Sequence, residues 1–166
     1  MFSKLVKISL LSFMLLGCVS NQPVVNTTQL AEIDTELAVL NLQQHQPEEA
    51  KAHLLEAQNL APHDALVLVG EGFYDLNAHE VPEAAAFYHQ AIHLAPQDPK
   101  IQNDYGVFLY QTHQFALALP YFLKAAYDPD NLCAAEAFQN AALTELKLGD
   151  HAAAERYFKA AEWFHG

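Results

Sequence analysis

Small and large apolar residues recur along the chain with a period of 34 residues. Ala50, Leu54 and Ala57 form the first set, and the two sets that follow have Tyr88 and then Phe122 as their large member. The spacing i, i+4 and i+7 places the three residues of a set on one stripe of a helix. Because two of the three are small, this helix can press closely against a partner helix. The pattern predicts helices at 29–43, 47–60, 65–77, 82–94, 99–112, 115–126, 132–147 and 151–164.

A fourth set, Ala154, Phe158 and Ala161, follows the third after 36 residues, which indicates an insertion of two residues between them. Period, order and spacing resemble the tetratricopeptide repeat, a unit of 34 residues that forms two antiparallel helices. The resemblance implies an all-α superhelix of about four helix-turn-helix repeats in residues 29–166. The repeats are expected at about 31–64, 65–98, 99–132 and 133–166.

The N-terminus has the pattern of an export signal. A basic stretch with two lysines precedes about nine apolar residues, fewer than the roughly 20 that a membrane-spanning helix needs. The tetrapeptide Leu-Leu-Gly-Cys, which ends at Cys18, resembles the lipobox of bacterial lipoproteins. This resemblance implies that residues 1–17 are a signal peptide, that Cys18 is acylated, and that residues 18–28 tether the repeats to a membrane. Since the residue directly after Cys18 is Val19 and not an Asp, which would act as an inner-membrane retention signal, the resemblance also implies the periplasmic face of the outer membrane.

The charge balance restricts the class of partner. The chain carries 20 Asp and Glu against 8 Lys and Arg, a net charge of −12. Proteins bind nucleic acids largely by neutralising phosphates with basic side chains, so the composition speaks against a nucleic-acid partner. Of the two cysteines, an acylated Cys18 cannot pair with Cys133, and Cys133 is expected in the core because it lies in an apolar stretch.

The first helices of stacked repeats line a concave face that commonly holds peptides. The positions that should face it are mostly apolar with a few amides, and they lack a ring of Lys and Arg for a C-terminal carboxylate. The pattern therefore predicts a groove for an apolar segment of a partner protein, with some of these side chains packed between repeats instead. The predicted groove residues are Val39, Leu42, Val69, Phe73, Leu76, Asn103, Val107 and Tyr110.

The sequence shows no pattern of a catalytic or cofactor site. It has no His-Glu-x-x-His, no Gly-rich phosphate loop and no Gly-x-Ser-x-Gly. His89 and His93 are four residues apart, and without a third ligand their role stays open. The chain is expected to be non-enzymatic, with no cofactor, no metal ion and no small-molecule substrate.

The third and fourth repeats carry more than the general pattern. The segment Asn-Asp-Tyr-Gly-Val-Phe-Leu, which begins at Asn103, resembles the Asn-Asn-Tyr-Gly-x-Phe-Leu segment of the type IV pilus biogenesis and stability lipoproteins, the pilotins. The stretch around Asn140 is similar to the Glu-Asn-x-Gly stretch of that family, whereas Asp104 replaces its second Asn. The resemblance implies a partner, the secretin subunit of the type IV pilus. The lipoprotein would carry this subunit to the outer membrane and promote its multimerisation.

Alternatives to this interpretation stay open. One is a general scaffold lipoprotein for cell-wall or division complexes, which would share the anchor and the fold. Another is an enzyme with an unrecognised site, against which the missing cluster of acid, base or metal ligands argues. The resemblance implies about six repeats, so the sequence also leaves open whether this is a natural four-repeat variant or a truncated six-repeat protein.

Overall fold

A computed structural model describes residues 26–165, the last of them by its backbone alone. Cys18, the predicted signal peptide and most of the predicted tether lie outside the described residues. Within 26–165 all regular structure is helical, and no helix there is long and apolar enough to cross a bilayer. The helices are α1 (Thr27–Gln43), α2 (Pro47–Leu60), α3 (Ala65–Asn77), α4 (Val81–Leu94), α5 (Pro99–Gln111), α6 (Phe115–Ala126), α7 (Ala134–Leu148) and α8 (His151–His165).

The helices pair in chain order. α1 packs on α2, α3 on α4, α5 on α6 and α7 on α8, and each pair packs on the next. The predicted all-α tetratricopeptide-repeat fold is confirmed, and the observed helix ends lie within two residues of the predicted ones. The signal-peptide, tether and repeat boundaries stay predictions.

The helix starts follow from local capping. The Asn26 side chain accepts a hydrogen bond from the Gln29 N–H at 3.4 Å, so α1 begins two residues before the predicted start. Asp98 caps α5 by accepting from two backbone N–H groups, at 2.8 and 3.2 Å. α2 and α4 instead have a proline in the first turn together with acidic residues, which suits the positive end of a helix dipole.

The repeated set of apolar residues forms the core of each repeat. Its small members, such as Ala84 and Ala91, have no exposed surface, and the large members Tyr88 and Phe122 are 2% and 1% exposed. Phe158, the large member in the fourth repeat, is only partly buried. The periodic pattern therefore identified the contact between the two helices of each repeat.

The third repeat shows how closely paired helices approach. A Cβ atom added to Gly106 of α5 would lie 2.7 Å from the ring of Phe122 on α6. No real side chain tolerates that separation, so the glycine lets the backbone of α5 rest directly on the aromatic ring.

Three equivalent turns hold a histidine in the left-handed backbone region. His45, His79 and His113 have φ of 60°, 65° and 62°, and Gly149 takes this place in the fourth repeat with φ 92°. In the second repeat the N–H of Glu80, the residue after His79, donates to the Asp75 carbonyl at 2.9 Å. This bond ends α3 in a Schellman motif. In this motif the residue with positive φ, here His79, is usually a glycine. The sequence pattern predicted the ends of the helices at these turns, but not the left-handed backbone of the three histidines.

Cys133 is exposed, so the prediction that it is a core residue was wrong. It precedes α7, and its N–H donates to Asn131 Oδ1 at 2.8 Å. The reason is the two-residue insertion, which lengthens the connection after α6 and places Cys133 in that loop.

The outward face of α1 is apolar. Ile33, Leu37 and Leu40 are 47%, 39% and 46% exposed. The residues two repeats later, Ile101, Tyr105 and Phe108, are at most 8% exposed because the second repeat covers them. The first repeat therefore presents the kind of face that an inner repeat buries, although nothing precedes it among the described residues.

Candidate peptide-binding groove

The first helices of the repeats lie side by side and enclose a cavity of about 300 Å³. Its walls are mainly apolar side chains of α1, α3 and α5. One end of the cavity carries charged groups from α1, α5 and α7, namely Glu36, Lys100, Asp104 and Glu136. A cavity with this lining can hold apolar side chains of a peptide next to a polar or charged one.

Four of the predicted groove residues meet in this cavity. Val39 of α1, Val69 and Phe73 of α3, and Val107 of α5 all line it. They come from three repeats, so only stacking of the repeats brings them together.

Two further predicted residues, Tyr110 and Asn103, line neighbouring clefts. Val107 also lines a neighbouring cleft of about 220 Å³ together with Tyr110 and Leu143. Asn103 lines a third cleft, formed with the loop that contains Cys133.

Two predicted groove residues, Leu42 and Leu76, line none of these three cavities. Leu42 is 5% exposed and packs in the core of the first repeat beside Leu54. Leu76 is partly buried against the central core. The part that each predicted residue plays in binding a partner stays a prediction.

The sequence interpretation missed Asp104, which follows directly on the predicted Asn103. A signal for it existed, since Glu36 lies two periods earlier at the equivalent position and lines the same cavity. Asp104 is partly buried, and burial raises the pKa of its carboxyl group from 3.8 to about 7. Nearby Lys100 opposes this increase, while Glu136 and Asp98 add to it.

The charged groups near Asp104 form their ion pairs and hydrogen bonds with other residues. Lys100 Nζ forms an ion pair with Glu36 Oε1 at 2.9 Å. Glu136 Oε1 accepts a hydrogen bond from Asn103 Nδ2 at 3.3 Å. Within residues 26–165 no side chain forms a hydrogen bond or an ion pair with Asp104. Asp104 is therefore an unpartnered carboxyl group at the end of an apolar cavity.

The described residues hold no group of three or more His, Cys, Asp or Glu that could bind a metal ion. The ring of His89 lies 5.8 Å from the ring of Tyr105, between the second and third repeats. The features that the geometry does provide are apolar walls, an unpartnered carboxyl group and side-chain amides. These features suit noncovalent binding of a peptide.

No protein-family model and no curated protein matches the sequence. Among solved structures, PilF of Pseudomonas aeruginosa matches with a TM-score of 0.72 at 23% identity over 83% of this chain. PilW, described as a widely conserved type IV pilus biogenesis factor, matches with a TM-score of 0.69 at 26% identity over 80%. MamA matches with a TM-score of 0.59 at 19% identity over 81% of this chain and 78% of its own.

The match to PilF spans 62% of that chain and the match to PilW 61%, so this chain covers less than two thirds of either protein. At these identities the likeness to PilF and MamA shows the fold alone. The chain has the tetratricopeptide-repeat fold, and its structural neighbours include a type IV pilus biogenesis factor.

Proposed function

We propose that the chain is a non-enzymatic outer-membrane lipoprotein that acts as a pilotin for the type IV pilus. It is anchored through acylated Cys18 at the periplasmic face of the membrane. Its groove binds secretin subunits and promotes their localisation to the outer membrane and their multimerisation there.

The observation that carries this proposal is the apolar cavity in a fold shared with PilW. Val39, Val69, Phe73 and Val107 form a surface that can hold an extended or helical segment of another protein. The lipobox-like sequence that ends at Cys18 supports attachment to the outer membrane. Anchoring raises the concentration of the groove at the membrane without any new contact.

The test uses cells that lack the gene and cells that carry Cys18→Ala. Outer-membrane fractions are run on a gel that separates heat-resistant secretin multimers from monomers. We expect monomers to accumulate in the deletion strain, and multimers in the Cys18→Ala strain to be fewer or in the inner membrane. A matched control is Cys133→Ala, which removes the exposed thiol and leaves the lipobox intact.

Normal multimers in the outer membrane of the deletion strain, with no paralogue present, would contradict the proposal. The likeness to MamA at 19% identity shows the fold alone and does not support one of these functions over the other. The general scaffold for cell-wall or division complexes would then be the leading interpretation.

A further inference from the structure

The cavity has an excess of negative charge at one end. Three carboxyl groups and one amine line it, those of Glu36, Asp104, Glu136 and Lys100. Among the described residues, Lys100 is the sole cation of this lining, and Glu36 binds it at 2.9 Å. The amide of Asn103 donates to Glu136. Asp104 is the carboxyl group for which the described part of the chain provides no partner.

Because Asp104 is partly buried, the absence of a partner for its carboxylate is unfavourable in free energy. A partly buried carboxylate loses hydration, and a nearby cation or hydrogen-bond donor compensates for that loss. Lys100 opposes the rise in the pKa of Asp104 that burial causes, but its amine forms its ion pair with Glu36, at 2.9 Å. A second cation in the cavity would compensate for the hydration that the Asp104 carboxylate has lost.

The apolar side chains that line the cavity with Asp104 favour a cation that is carried on an aliphatic stem. The partly exposed apolar side chains of Val39, Phe73 and Val107 line the same cavity. They can cover the aliphatic stem of a lysine or arginine while its charged end reaches the carboxylate. A compact inorganic cation would leave these walls uncovered.

We propose that the groove selects a peptide segment with a lysine or arginine among apolar residues, and that Asp104 binds this basic side chain. The inference rests on the proposed function in that a peptide of a partner protein occupies the groove. It goes further by naming the chemistry of that peptide and the residue that recognises it.

The first experiment needs no knowledge of the partner. The full chain, purified in mild detergent, is exposed to an array of positional-scanning decapeptides, in parallel with Asp104→Asn. The asparagine has nearly the same shape as the aspartate and lacks the charge. Asp75→Asn is the matched control, because Asp75 is a partly buried carboxyl group of α3 outside the cavity lining. Thermal melts monitored by circular dichroism verify that all three proteins fold.

We expect the natural chain and Asp75→Asn to enrich peptides with one Lys or Arg next to apolar residues, and Asp104→Asn to lose this preference. For a selected peptide, Asp104→Asn should weaken binding by about ten- to hundredfold. Replacing the basic residue of the peptide by Gln should weaken binding to the natural chain to a similar degree and leave binding to Asp104→Asn almost unchanged. Asp104→Glu should restore part of the affinity. A library without basic preference, or the same preference in Asp104→Asn, would overturn the inference, as would the absence of any bound peptide.

A second array separates this inference from the proposed function. It carries overlapping peptides that tile the secretin encoded by the same genome. Binding of secretin peptides that is insensitive to Asp104→Asn supports the pilotin function and contradicts the role of Asp104. Basic selectivity in the library without binding of any secretin peptide supports the role of Asp104 and contradicts the choice of partner.

Discussion

Asn140 of α7 donates a hydrogen bond from Nδ2 to Oδ1 of Asn103 on α5, at 3.0 Å. Asn103 in turn donates to Glu136 at 3.3 Å, so its amide joins the third repeat to the fourth. Both asparagines belong to the segments that resemble the pilotin family. The structure therefore brings two separate sequence features into one contact between repeats.

Loss of this contact should weaken the junction between the third and fourth repeats. Asn103→Ala and Asn140→Ala should each lower the free energy of unfolding by about 1 kcal/mol, because each leaves a partly buried amide without its partner. Urea denaturation of the single and double variants measures the coupling between the two residues, which we expect to be at least about 0.5 kcal/mol. Additive effects of the two substitutions would show that the hydrogen bond contributes nothing of its own.

Gly106→Ala should destabilise the third repeat by about 1–3 kcal/mol, because the new Cβ would lie 2.7 Å from the ring of Phe122. The measurement is the thermal unfolding midpoint. Phe122→Leu, in the same background, removes the ring and should recover part of the loss. Gly149→Ala is a useful comparison, since no atom lies within 4 Å of its Cβ position and its cost comes from the backbone conformation alone. A Gly106→Ala protein that melts like the natural chain would contradict the close approach of α5 and α6.

His79→Gly should stabilise the protein by about 0.5–1 kcal/mol, since glycine adopts the left-handed region without the penalty of a side chain. The unfolding midpoint in urea is the measurement. His113→Gly should give a smaller gain, because the ring of His113 contacts that of Phe115 at a centroid distance of 5.8 Å. Equal or lower stability of His79→Gly would indicate that its side chain makes a favourable interaction that outweighs the backbone strain.

The stability difference between Asp104→Asn and the natural chain should depend on pH. The pKa of Asp104 is raised in the folded state from 3.8 to about 7, so the folded protein holds this proton more tightly than the unfolded chain. That contribution to stability is fully present below about pH 4, declines between about pH 4 and 7, and is absent at higher pH. Asp104→Asn should therefore be the more stable protein at pH 8, by at most about 4 kcal/mol, and the difference should shrink towards pH 4.

Urea unfolding at several pH values between 4 and 8 tests this. Asp130→Asn, which changes an exposed carboxyl group in the loop after α6, serves as the control. A difference between Asp104→Asn and the natural chain that stays constant over this range would mean that Asp104 titrates at its ordinary pKa.

The helices could be predicted from the sequence because one signal is repeated four times. Ala84, Tyr88 and Ala91 must face the partner helix wherever the same spacing recurs, and they do. Asp98 followed by a proline marks a helix start through local chemistry alone. Both signals depend on neighbours along the chain, which a sequence shows directly.

Burial and contacts depend on neighbours in space, which the sequence does not show. Ile33 has the apolar character of Ile101, yet it is exposed because nothing covers the first repeat among the described residues. Cys133 lies in an apolar stretch, but the inserted residues move it into a loop. Leu42, a predicted groove residue, packs in the core of the first repeat, and its part in binding a partner stays a prediction. For Asp104, burial and the missing partner depend on residues of other helices, so the sequence could not reveal its raised pKa.

The close approach at Gly106 has a consequence for the proposed peptide binding as well as for stability. With the backbone of α5 in contact with Phe122, the wall that carries Val107 cannot slide along α6 without opening a void in the core. In the proposed complex this wall would have its shape before a peptide binds, and the conformational entropy lost on association would be mainly that of the peptide. The lifetime of such a complex would then depend on how well the peptide fits the wall.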